Sequence, residues 1–111
     1  MSHKYEEPHE INKSEFIDIV RTDVVNLTCD AVVRAAHFIH DYDWLLQQYT
    51  LLLQHSDVEV RGVTVTCIGH LARMNEKSDK GQLLEILEPL LSDKELSGRV
   101  EDAIDDINTF L

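Results

Sequence analysis

Ser56-Asp57-Val58-Glu59-Val60-Arg61-Gly62 is echoed by Ser92-Asp93-Lys94-Glu95-Leu96-Ser97-Gly98-Arg99, at a distance of 36 residues from one serine to the other. Each copy follows a leucine-rich run and precedes an apolar pattern of helical spacing. A period of that size marks stacked helix pairs, in which each pair buries its apolar face only against its neighbours. The echo therefore predicts an all-α fold. It also points to an interaction surface rather than a catalytic pocket.

Working outward, Ser56 and Glu59 read as an S-x-x-E capping box that opens a helix from Val58 to Met74. Val60, Val63, Cys67, Leu71 and Met74 occupy one side of it, and Val65, Ile68 and Ala72 another. A helix apolar almost all round is packed on several sides, so this one is expected at the centre. Gly62 and Gly69 lie one heptad apart within it. A mid-helix glycine costs about 1 kcal/mol against alanine, and close approach of a second helix explains the choice.

Upstream, Asn12 with Glu15 forms another box, followed by Phe16, Ile17, Ile19, Val20 and Val24. A second pattern covers about 28–39, with Ala31, Val32, Ala35, Phe38 and Ile39 inward. The polar link His40-Asp41-Tyr42-Asp43 leads into a helix bearing Trp44, Leu45, Leu46, Tyr49, Leu52 and Leu53, with Asp43 as its expected N-cap. Downstream, residues 75–81 read as a turn. Leu83 to Leu91 then form a helix that Pro89 should kink or shorten, because proline removes an amide donor. Ser92 with Glu95 is a third box, and the last helix, about Ser97 to Phe110, faces inward with Val100, Ala103, Ile104 and Ile107. The expected architecture is six helices in three antiparallel pairs, one domain over 12–111 behind a flexible tail at 1–11.

The 111 residues suffice for one core and contain no apolar run long enough to span a bilayer. The first ten are polar, with no signal-peptide core, so a cytoplasmic location is expected. Acidic residues number 21 against 10 basic, for a net charge of −11. That surface repels phosphate backbones, which argues against direct nucleic-acid binding and favours a basic protein partner. Cys29 and Cys67 sit inside helical patterns and read as buried thiols in a reducing compartment.

Leu51-Leu52-Leu53-Gln54-His55-Ser56-Asp57-Val58-Glu59-Val60-Arg61, followed by Ile68-Gly69-His70-Leu71, resembles one HEAT repeat. Asp57 and Val60-Arg61 stand at the motif positions, where the family's aspartate caps backbone amides and its arginine bridges neighbouring repeats. The copy at 83–107 keeps Asp93 and Arg99, but six residues apart rather than four. Val32-Val33-Arg34-Ala35-Ala36 resembles a degenerate third. The resemblance implies a HEAT-like α-solenoid fragment that binds other proteins. In size and acidity the chain also resembles small bacterial immunity proteins, which bind and neutralise a toxin domain, commonly a basic nuclease. The implied function is toxin inhibition. The alternative is a HEAT-like adaptor or assembly subunit that pairs with another helical protein.

Chemistry is sparse. HEAT-like hydroxylases hold iron through repeated His-Glu pairs, and here His-Glu occurs only at His9-Glu10. HEAT-like DNA glycosylases need a basic, aromatic groove. His37 and His40 are three apart with Asp41 and Asp43 nearby, a spacing open to a metal, but histidines at a helix end more often cap it or face solvent. There is no HExxH, no closely spaced cysteine set and no phosphate-cradling glycine loop. The chain reads as a non-enzyme without metal or cofactor. Two surfaces are candidates for a partner. On the last helix, Glu101–Asp105 and Asp102–Asp106 are like-charge i,i+4 pairs, each costing a few tenths of a kcal/mol, which a basic partner would relieve. At the link, Asp41, Tyr42 and Asp43 combine carboxylates with an aromatic ring of the kind enriched at binding hot spots. There Tyr42 is expected exposed and Trp44 in the core.

Overall fold

The computed structural model describes residues 9–111. They form α1 (Lys13–Arg21), α2 (Val25–Phe38), α3 (Tyr42–Leu52), α4 (Val58–Met74), α5 (Lys80–Leu87) and α6 (Ser97–Phe110), with a 3₁₀ turn at Glu88–Ser92 and no strand among them. Helices α2, α4 and α6 lie side by side with α4 in the middle, while α1, α3 and α5 pack against α2, α4 and α6 respectively. Links this short let consecutive helices run antiparallel, whereas α4 and α6 run in the same sense, with Gly62 against Arg99 and Gly69 against Ala103. Among the described residues no helix is long and apolar enough to cross a membrane.

The central position expected for α4 is observed. Val60, Val65, Ile68 and Leu71 are wholly buried. Its glycines explain themselves differently. A Cβ on Gly69 would lie 2.8 Å from both Cα and Cβ of Ala103, so the α4–α6 backbones can approach only because that Cβ is missing. A Cβ on Gly62 would instead meet the Arg99 side chain, 2.9 Å from Nε. In the layer behind, the buried Tyr49 hydroxyl donates to the Val32 carbonyl at 2.6 Å and ties α3 to α2.

Helix starts follow the expected logic with shifted residues. Asn12 and Glu15 make the reciprocal box: the Glu15 amide donates to Asn12 Oδ1 at 2.8 Å, and the Asn12 amide to Glu15 Oε1 at 3.3 Å. The N-cap of α4 is Asp57, not Ser56, and that of α3 is Asp41, not Asp43. The third box is absent. Pro89 ends the α-helix at Leu87 and winds the chain into the 3₁₀ turn, where the Ser92 hydroxyl donates back to the Pro89 carbonyl. Helix α6 starts after Leu96 without a side-chain cap.

The echo itself is conformational as well as sequential. Asp57 Oδ1 accepts the Glu59 amide at 2.8 Å, and Asp93 Oδ1 accepts the Glu95 amide at 2.9 Å. Arg61 donates to the His55 and Ser56 carbonyls at 2.8 and 2.9 Å and reaches Glu95 at 3.5 Å, so it joins one copy to the other.

Two further contacts fasten α1. Asp23, in the left-handed region at φ 54°, places its carboxylate 3.0 Å from His55 Nε2, while His55 Nδ1 accepts the Asp57 amide at 2.9 Å. The imidazole proton therefore sits on Nε2, facing the carboxylate. Of the expected tail, residues 1–8 lie outside the described chain. His9 and Glu10 offer their carbonyls to Arg34 at 2.9 Å each, and Ile11 is buried, so the last three residues of that stretch are docked rather than loose.

Candidate partner-binding surfaces

The structure rearranges the roles expected at the α2–α3 link. Tyr42 is only 5% exposed. As the first residue of α3 it turns inward, donating to Gln82 Oε1 at 2.9 Å and accepting the Asp79 amide at 3.3 Å. Burial raises its phenol pKa. Tyr42 is thus a brace between α3 and α5, contrary to its expected exposure. Trp44 is the half-buried ring, edge-on to Phe16 at 5.7 Å and with Lys13 Nζ 5.3 Å from its centroid. Asp41 is exposed but engaged. It pairs with Lys13 at 2.6 Å and caps the Trp44 amide, and these two contacts hold its carboxyl below the usual range. Asp43 is exposed and lines the open cavities beside α3 and α5.

On α6, Glu101, Asp102 and Asp105 are exposed and Asp106 is half-buried. None of the four joins an ion pair among the described residues. With Val100, Ala103 and Ile107 inward, helical spacing puts Asp102 and Asp105 outermost, Asp106 on the flank of Arg99 and Glu101 on the opposite one. The four acids therefore form an arc rather than one stripe. Asp41 caps α3 and Asp43 stands in its first turn, and α3 is not among the packing neighbours of α6, so the two expected surfaces are separate.

A groove of about 230 Å³ runs between α2, α4 and α6. Its lining includes Val33, Val63, His70, Arg73 and Arg99. Sequence reading did not single out this site. Its signal was available in Gly62 and Gly69, which announce a close neighbour, and in the positions 63, 66, 70 and 73 that helical spacing aligns beside that seam. His70 is half-buried; burial, and then Arg73, lower its pKa, while Asp106 acts against them. Burial raises the thiol pKa of Cys29 and pushes Cys67 up to about 12, so neither is a ready nucleophile.

His37 and His40, considered together as metal ligands, face different places. His37 borders this groove and His40 the cavity beside Asp41 and Asp43. Among the described residues no group of three or more His, Cys, Asp or Glu side chains is placed to hold a metal.

The whole architecture has a counterpart. A chain in the crystal structure of a CDI complex from Cupriavidus taiwanensis LMG 19424 matches with a TM-score of 0.87 and 26% identity, over 98% of this chain and 98% of that one. No family model and no curated protein matches the sequence, so the HEAT resemblance rests on its motif residues alone.

Proposed function

We propose that this protein is the immunity partner of a contact-dependent inhibition pair, a non-enzymatic inhibitor that binds and neutralises a basic toxin domain, a nuclease, in the cytoplasm. The observation that carries the reading is the end-to-end likeness to a chain of a CDI complex. The net charge of −11 supports the inhibitor's side of such a pair, because a toxin that grips nucleic acid needs the opposite sign. The α6 carboxylates, which join no ion pair among the described residues, would face the toxin's cationic substrate groove together with Asp43 on α3. There they steer encounter and occlude the site.

The test is affinity capture from the native host at low and high salt, followed by functional transfer. One stoichiometric basic protein is expected, captured more slowly at high salt. Expressed alone it should arrest growth, and co-expression of this chain should relieve the arrest. The triple variant D102K/D105K/D106K should fold yet fail to protect. Recovery of a neutral helical partner whose binding ignores salt would favour the adaptor role and retire the acidic arc.

A further inference from the structure

The groove between α2, α4 and α6 reverses the charge of the molecule around it. The chain has about two acids for every base, yet the described lining of the groove carries Arg73 and Arg99 beside His37 and His70, and its nearest carboxylates, Glu59 at 3.9 Å from Arg99 and Asp106 acting on His70, stand outside that lining. Beside α3 and α5, by contrast, one cavity is bordered by Asp43 and Glu85, and the other by Asp41, Asp43 and Asp79 with Lys77 among them. The groove's remaining lining is largely apolar. Val33 is exposed in it, and Val63 and Met74 are half-buried beneath it.

Arg99 crosses the α4–α6 seam with its side chain partly exposed. Its side chain lies across α4 where Gly62 has none, with Nε 2.9 Å and Cδ 3.0 Å from the point a Cβ would occupy. Its own partners are distant: Nη1 is 3.4 Å from Thr66 Oγ1 and Nη2 is 3.9 Å from Glu59 Oε2. The fork therefore keeps donors for a better acceptor, and a guanidinium meets a carboxylate through two parallel N–H bonds. Arg73 is exposed and joins no ion pair among the described residues.

We infer that this groove seats an apolar side chain of the toxin next to one of the toxin's own aspartates or glutamates, whose carboxylate Arg99 and Arg73 receive. The inference rests on the immunity reading and adds a contact of opposite sign to it. A basic toxin is drawn to an acidic surface in many orientations. One inverted charge pair over an apolar socket selects a single register and penalises a toxin that lacks it.

The chemistry can be tested without the toxin. In ¹⁵N–¹H NMR titrations, 4-phenylbutyrate should shift the amides of Val63, Thr66, His70 and Arg99 saturably, and 4-phenylbutylamine should not. Arg99→Ala should weaken the phenylbutyrate response about tenfold or more while leaving thermal unfolding unchanged. No saturable shift, or equal shifts with the amine, would overturn the groove assignment and leave the immunity reading intact. With the captured toxin, R73A/R99A should bind about tenfold more weakly or worse. Toxin binding equal to wild type would overturn the choice of occupant, as would a wild-type dimer in sedimentation that R99A dissolves, since the occupant would then be a second copy.

Discussion

Where α4 meets α6, Gly69 and Ala103 let two backbones approach until no extra carbon fits. Where α3 meets α5, open cavities of about 550 and 540 Å³ remain, braced at one end by the Tyr42–Gln82 hydrogen bond. In a stack of helix pairs the smallest residues set the spacing, and here they tighten one layer while the other stays apart. The tight seam fixes the wall of the α2–α4–α6 groove. The open side is lined by Asp41, Asp43, Asp79 and Glu85, with Lys77 among them.

The largest effect should come from forcing the tight seam. Gly69→Val puts branched carbon against Ala103 backbone and should destabilise the fold by about 3 kcal/mol in urea unfolding. A cost below about 1 kcal/mol would mean the helices can slide apart, and the contrast between the seams would vanish. Next comes a comparison of two tyrosines. Tyr49→Phe strips a buried hydroxyl from the Val32 carbonyl and should cost about 1–1.5 kcal/mol. Tyr42→Phe, at the edge of the open side where water can replace the lost partner, should cost only about 0.5 kcal/mol. Equal losses would show that the open side is as dry as the core.

Gly62→Ala should reverse the sign. The obstacle is the end of a flexible arginine, so helix propensity prevails and the protein gains about 0.5 kcal/mol while Arg99 is displaced. The smallest effect concerns pH. The folded state lowers the His70 pKa, so below the ordinary value of 6.5 the unfolded chain takes up the proton first and stability falls. Thermal unfolding of wild type should therefore decline relative to His70→Gln as pH drops through 6.5, and the two should run parallel above it.

Periodicity and glycine placement made most of the fold legible. The bounds of α4 and α6, the close approach at Gly69 and the shortening at Pro89 all follow from local chemistry that a sequence displays, whereas Gly62 meets an arginine side chain instead of a helix backbone. Capping was legible in kind but not in register, because Asp41 and Asp43, or Ser56 and Asp57, are equally able to cap. Packing decides between them: burying Tyr42 at the first position of α3 leaves Asp41 as the cap. The same burial takes Tyr42 into the core, where exposure was expected, while Trp44 stays half-buried against that core. The cationic groove was hidden for another reason. Val33, Val63, Arg73 and Arg99 belong to three helices, and only the spacing between those helices brings them to one cavity.

The fastening of α1 has a consequence for the order in which the molecule opens. Lys13 is held by Asp41 at the start of α3, and Asp23 by His55 just past its end. An outer helix held only by its packing frays early and exchanges its amide hydrogens fast. Packed on α2 and tied on either side to residues flanking α3, α1 should instead exchange its amides more slowly than that packing alone would give. Replacing His55 would let the first helix keep its own, faster clock.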